Sequence, residues 1–274
     1  MLREIVYINH MNEKIEFGKN GIIMSESDLL DYSWSIISKN DKISSFKKGI
    51  TSKTISVIIK CNSESEGMRQ RNRLFETLEK DVLANKHGKL IIGEYYLRCF
   101  VIESKKARYI RASSYIEITL KISTDLPYWI KERKTTFNYE SNDSAGSNLD
   151  YNRDFPSDYT SNLLGTTLNN MDFVDSNFVI NIYGACENPM ITIGGHIYEV
   201  SASIGVNEYL TIDSVNKTII LTHNDGAKEN CFNLRNRDSY IFEKIPVGIS
   251  QVSSSTGFKF DVVLLEERSE PKWT

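Results

Sequence analysis

Four histidines (His10, His87, His196, His223) and four cysteines (Cys61, Cys99, Cys186, Cys231) carry the widest chemical repertoire in this chain. They stand far apart. No pair has the short spacing by which Cys and His ligands grip zinc. The cysteines sit singly among strand-like residues, the setting of reduced, buried thiols. Glu266 and Glu267 put two carboxylates side by side, but neighbours on a strand point to opposite faces and cannot share a substrate. Asp150-Tyr151-Asn152-Arg153-Asp154 matches the first three ligand positions of an EF-hand loop. Phe155 stands where that loop needs glycine, and Ser161 where it needs glutamate. There is no phosphate loop, dinucleotide fingerprint, nucleophile elbow or zinc-protease helix. The expectation is therefore no catalytic residue, no metal, no cofactor and no enzyme.

Aromatic residues offer a different chemistry. A tyrosine ring stacks on the apolar face of a sugar while its hydroxyl bonds the polar rim. Tyr183, Tyr198, Tyr209 and Tyr240, with His196 nearby, are the candidate glycan contacts. The competing reading is that strand alternation turns some of them inward as core.

The elements that must position these residues are mostly strands. Ile5 and Tyr7, then Ile15 and Phe17, mark two short arms around a polar tip at His10–Glu13. Tyr32, Trp34 and Ile36 alternate with serines, and Ile55, Val57 and Ile59 form a third such set. Between them the stretch Ser38–Lys53 reads as a long polar hairpin arm. One helix follows. Ser63 is its N-cap, Glu66 completes a capping box, and Leu74, Phe75, Leu78 and Val82 share a face. His87-Gly88 reads as its end. Arg69 and Arg73 lie on the opposite face, paired in spacing with Glu66 and Glu76 as on a solvated helix. Strands resume at Lys89–Ile92, Tyr95–Glu103 and Tyr115–Ser123, and Pro127-Tyr128-Trp129 closes the unit.

From Asn138 to Asp158 polar residues dominate, as in an irregular lead-in. The remainder reads as strands about ten residues apart: Asn177–Tyr183, a hairpin turning at Gly194-Gly195, Tyr209–Ile212 against Thr218–Thr222, Tyr240–Glu243 and Phe258–Leu265. The domains expected are 1–130, an irregular linker at 131–160, and a β-sandwich at 161–274. The fold class is mostly β, with an α+β first domain.

The bulk composition excludes more than it identifies. The chain has 274 residues, a net charge of −3, 40% apolar and 25% charged residues. This is too apolar for a disordered chain and too acidic for a strongly basic nucleic-acid binder. No basic-then-apolar leader opens the sequence, and no apolar run reaches the roughly 18 residues of a membrane-spanning helix. Neither a signal peptide nor membrane insertion is expected.

The order of features resembles the distal tail protein of phages with long non-contractile tails that infect Gram-positive bacteria. The resemblance runs through the helix from Arg71-Asn72-Arg73-Leu74-Phe75-Glu76, then Gly88-Lys89-Leu90 and the Tyr95–Val101 strand. It continues through Pro127-Tyr128-Trp129 and the lead-in Leu149-Asp150-Tyr151 to Tyr159. Its most specific part is carboxy-terminal: Asn188-Pro189, Tyr209–Asp213, Lys217-Thr218-Ile219, Tyr240–Gly248 and Glu266–Trp273. The resemblance implies an amino-terminal β-sandwich or barrel-like domain that assembles head to tail into a homohexameric ring. It implies a galectin-like or carbohydrate-module-like sandwich after it. The implied partners are the major tail tube protein, the tail-associated lysin or tail-tip protein, and in some relatives receptor-binding proteins. The implied location is the virion tail tip. DNA would pass through such a ring, and the near-neutral charge suits a channel that must not hold phosphates tightly. The alternative is a β-sandwich protein that recognises host cell-wall polysaccharide.

Overall fold

The computed structural model describes residues 4–108, 115–139, 163–164, 166–255 and 257–272. The chain forms two compact units. Unit one is Met1–Lys131 with Glu267–Thr274, and unit two is Glu132–Glu266. The strand-rich class read from the sequence is the class observed, and its sheets do not close into a barrel among the described residues.

Unit one contains β1 (Ile5–Ile8), β2 (Lys14–Phe17), β3 (Ile22–Ser27), β4 (Ser35–Lys39), β5 (Lys42–Lys47) and β6 (Thr51–Lys60). The helix α1 (Glu64–Ala84) follows, then β7 (Gly88–Ile92), β8 (Tyr95–Arg108), β9 (Tyr115–Thr124) and the first residues of β10 (Trp129–Tyr139). Among the described residues of this unit the ladders are antiparallel. The long strand β8 divides its partners: Tyr95–Cys99 pairs with β7, Leu97 and Tyr96 pair with Trp129 and Ile130, and Phe100–Arg108 pairs with β9. One side of the unit runs β2-β1-β7-β8 and the other β3-β6-β9-β8. Alternation then sends Ile55, Val57, Ile59, Ile118, Leu120 and Ile122 into one core with Leu74 and Leu78 of the helix.

The helix begins as its sequence prescribes. Ser63 Oγ accepts the Glu66 N–H at 3.2 Å, and the Glu66 carboxylate accepts the Asn62 N–H at 3.0 Å. Its end differs from expectation. Asn85, in the left-handed region at φ 50°, caps the helix, and Gly88 already belongs to β7. Asparagine tolerates that conformation, so no glycine is required there. Val82 is exposed. The inward stripe instead continues through Thr77 and Asp81. Asp81 is fully buried and receives the Tyr7 hydroxyl, the His10 backbone N–H at 2.8 Å and His10 Nδ1. A polar residue thus takes a core position because the β1–β2 turn brings it donors.

Unit two contains the rest of β10, β11 (Leu163–Leu164), β12 (Thr167–Asn170), β13 (Asn177–Tyr183), β14 (Cys186–Glu187) and β15 (Met190–Ile193). Then come β16 (His196–Glu199), β17 (Ser203–Ile204), β18 (Tyr209–Asp213), β19 (Thr218–Thr222), β20 (Lys228–Asn230), β21 (Gly248–Ser254) and β22 (Phe260–Arg268). One sheet runs β10-β22-β13-β18-β19-β20 and the other β12-β21-β15-β16. They share a core built from Phe178, Ile180, Ile182, Leu210, Ile212, Phe260 and Val262 on one side. Leu168, Ile191, Ile193, Tyr198 and Val252 come from the other. This is a two-sheet sandwich. Gly194 and Gly195, at φ 58° and 86°, make the two-residue turn between β15 and β16.

Several boundaries differ from the sequence reading. Residues 131–139 continue a strand rather than open an irregular linker. Their Lys/Arg/Thr character hid a strand whose buried inward member is Phe137. The rest of that lead-in, 140–160, with the Asp150–Asp154 run, lies outside the described residues. Residues 267–272 group with unit one rather than the sandwich. Tyr240–Glu243 is a turn and not a strand, although Ile241 and Phe242 are buried. Asp31–Trp34 is likewise not a strand, and Tyr32, Trp34 and Ile36 are exposed.

The Asp81 node yields a prediction. Asp81→Ala leaves the buried Tyr7 hydroxyl and the His10 N–H without their acceptor. It should cost roughly 3 kcal/mol of unfolding free energy, read from the urea midpoint. A loss under ~1 kcal/mol would show that the node is not what holds the β1–β2 turn to the helix.

Candidate functional site

Strand alternation sorts the four candidate tyrosines. Tyr198 faces inward on β16 and is 1% exposed, with its ring edge-on to Phe178 at 5.1 Å between centroids. Its hydroxyl donates to the Glu243 carbonyl at 2.9 Å, and burial pushes its pKa well above the usual tyrosine value. It is core and cannot meet a sugar. Tyr240 is exposed but lies in the turn after the 3-10 helix Phe232–Leu234, beside Lys217 and Phe242. Tyr183 and Tyr209 are brought together. They are directly paired in the β13–β18 ladder, with ring centroids 6.4 Å apart on the outward face.

Around that pair the outward face is polar. Tyr183 donates to Asp261 Oδ2 at 2.6 Å, which pushes its pKa up to about 12, with burial adding to the effect. Asp261 is 1% exposed. Burial works against its charge, yet Lys134 at 2.7 Å, Thr136 at 2.6 Å and Tyr183 outweigh it and hold the carboxyl below the usual range. Thr211 donates to Asn181 Oδ1 at 2.8 Å in the adjacent row. At the edge of the face, Glu208 bonds His223 Nδ1 at 2.8 Å. That pair raises the His223 pKa and lowers that of Glu208. A tyrosine pair set among hydroxyl, amide and carboxylate groups is chemically suited to a polyhydroxylated ligand. Among the described residues no group of three His, Cys, Asp or Glu is placed to hold a metal ion.

Unit one carries a second surface, which the sequence reading underestimated. Among the described residues β4 and β5 pair only with each other, turning at Asn40 and Asp41 with φ 50° and 56°. Every residue of both strands is exposed. Yet Ile36 (60%) and Phe46 (56%) oppose each other on one face with Ile43 (60%) beside them, and Ile37 (40%) lies on the other. The stretch looked polar because serines and lysines separate these residues; an apolar residue on each face is the signal that was available. Lys48 anchors the root of this arm. Its ammonium lies 4.5 Å from the Tyr128 ring, 4.7 Å from Trp34 and 5.4 Å from Tyr32. It donates to Ser269 Oγ at 2.6 Å and to the Pro127 carbonyl at 3.3 Å. Burial lowers its pKa to about 8, against the preference of three ring faces for the cation. Tyr32 and Trp34, expected as strand, serve instead as walls of this cage.

No protein-family model and no curated protein matches the sequence. Solved structures do share the fold. SPP1 Dit (gp 19.1), described as a paradigm of the hub adsorption apparatus in phages infecting Gram-positive bacteria, is similar with a TM-score of 0.59 at 8% identity. The match covers 96% of this chain and 98% of that one. A chain of the phage P2 baseplate in its activated conformation with Ca is similar with a TM-score of 0.64 at 12% identity, covering 99% and 100%. The same baseplate with Sr gives 0.62 at 12% identity over the same shares. The chain therefore has the fold of phage hub and baseplate components from end to end.

Two outcomes separate core from surface in unit two. Tyr198→Ala should cost about 3–5 kcal/mol, whereas Tyr209→Ala should stay within ~1 kcal/mol, both by urea denaturation. A large loss at Tyr209 would make it a structural residue. His223 should titrate above its ordinary value of about 6.5. Its contribution to stability is full below that value and fades as pH rises through the raised folded pKa. NMR titration of the ring reads this, and Glu208→Gln should shift the midpoint back down.

Proposed function

We propose that this chain is the structural hub of a phage tail tip. Six copies assemble head to tail through unit one into a ring that joins the tail tube protein to the tail-associated lysin or tail-tip protein. The observation that carries this reading is the fold, shared over nearly the whole chain with hub and baseplate proteins. The arm supports it independently. Aliphatic and aromatic side chains exposed on both faces of a hairpin are costly in a lone molecule and are relieved by a neighbouring surface. A heterologous contact of that kind closes into a ring when its rotation permits. On this reading the protein is not an enzyme and resides in the virion, and the net charge of −3 lets DNA pass without tight binding.

A second role is compatible with the first. The Tyr183–Tyr209 face, with Asn181, Thr211 and Asp261 around it, supports recognition of a host wall polysaccharide by the sandwich. Receptor-binding proteins attach to such hubs on the same reading. Retention of the full chain on host wall material, reduced by Tyr209→Ala, is the outcome that would support the glycan role.

For the ring, light scattering and negative-stain microscopy of the purified chain, alone or co-expressed with the tube protein, should show hexameric rings. Phe46→Asp with Ile36→Asp should abolish them while the urea midpoint of the monomer stays unchanged, because both positions are already exposed. A chain that never associates with itself or with tail components would sink the reading.

A further inference from the structure

The register of the sandwich extends the tyrosine pair into a longer row. Tyr209 is directly opposite Thr222 of β19, and Thr222 is opposite Lys228 of β20. On the other side the Tyr183 N–H donates to the Lys259 carbonyl at 3.0 Å. The Lys259 ammonium lies 5.8 Å from the centre of the Tyr183 ring. Side chains directly across a ladder share a face. Lys259, Tyr183, Tyr209, Thr222 and Lys228 therefore stand in line across the outward surface. With strands about 4.8 Å apart, the row spans roughly 19 Å, the reach of a short oligosaccharide.

The charges on this face decide which kind of sugar the row suits. Asp261 accepts from Tyr183, and Lys134 at 2.7 Å already balances its charge. Asp213, further along β18, accepts the Val215 and Asn216 backbone N–H groups and the Asn216 side chain. At the far end Lys228 neighbours the His223 ring, which Glu208 at 2.8 Å and Glu229 at 3.4 Å flank. Those two carboxylates set negative charge against Lys228. The other end differs. Lys259 is exposed, and its contact there is the Tyr183 ring, with no carboxylate paired to it among the described residues. Lys134 and Lys259 thus stand against the single carboxylate of Asp261. A cation within about 6 Å of a ring is attracted to its face, which keeps the ammonium beside the tyrosines. An ammonium in that position gives a charge-assisted bond to a ligand with an acid group and adds little to a neutral one.

We infer that the polysaccharide taken by the Tyr183–Tyr209 face is anionic. Its sugar rings lie on the two tyrosines, and an acid group, phosphodiester or carboxylate, pairs with Lys259. This rests on the glycan reading of the sandwich and makes Lys259 the residue that sets its preference for charge.

The test measures retention of the full chain on immobilised polymers and on host wall material. Dextran is the neutral polymer, polygalacturonate the carboxylate, purified wall teichoic acid the phosphodiester, and polyphosphate an anion without sugar. The chain should prefer one of the two anionic glycans over dextran and over polyphosphate, and which one identifies the acid group. Lys259→Glu should weaken that binding, and retention on host wall, roughly tenfold or more, while Lys259→Arg should keep both. Lys244→Glu makes the same change in net charge at an exposed position beyond the opposite end of β13, where Ile245 bridges Ser176. It should leave binding as it was. All three variants should keep the parent urea midpoint, because both positions are exposed. Dextran bound as tightly as the anionic glycans, or retention on host wall that Lys259→Glu does not weaken, would overturn the charge assignment and leave the glycan reading standing. Equal losses in Lys259→Glu and Lys244→Glu, or polyphosphate held as strongly as the glycans, would overturn it too, as marks of unspecific charge attraction. No retention on any polymer or on host wall would overturn both readings.

Discussion

A β-strand sends successive side chains to opposite sides, so each strand can commit only one face to a core. The rest of this structure follows from how that constraint is met. In unit one β8 is long enough to serve two sets of partners, β7 and β10 along one half and β9 along the other. The helix covers the core through Leu74 and Leu78. In unit two the constraint is met by two sheets that turn their inward residues toward each other. The faces left over are where binding chemistry can reside: the Tyr183–Tyr209 row of the sandwich, and both sides of the arm.

The arm is where the constraint is left unmet within one chain. Elsewhere, isoleucine and phenylalanine on a strand find a core; on β4 and β5 they find none. The structure holds the arm's root firmly through Lys48, three aromatic rings, Ser269 and the Pro127 carbonyl. A rooted hairpin with exposed apolar residues on both faces leaves surface that a neighbouring molecule would relieve by covering it. The chain that carries the arm shares its fold with hub and baseplate proteins.

Much of this was legible in the residues. The β1–β2 hairpin, the helix with its Ser63 cap, β7 to β9, and the pairings β15–β16 and β18–β19 all stand where alternation and turn residues put them. The misses have physical causes. Asn85 ended the helix before Gly88 because asparagine also tolerates the left-handed region. Tyr240–Glu243 carried strand-like residues in a turn because Ile241 and Phe242 reach the core without a ladder. The arm looked polar because alternation was read for one apolar face, and this hairpin has apolar residues on two.

The sequence by itself determined most of the local alternatives: the strands whose side chains alternate cleanly, the turns between them, and where the helix starts. Those depend on neighbours a few residues apart, which a sequence displays directly. Only the tertiary structure decided which tyrosines meet and which are buried. Tyr183 and Tyr209 are 26 residues apart and face each other, whereas Tyr198, between them in sequence, lies in the core. Sheet order and register, set by packing across the whole unit, made that choice. The same long-range packing gathered Tyr32, Trp34, Tyr128 and Ser269 around Lys48, a cluster that no local pattern in the sequence announces.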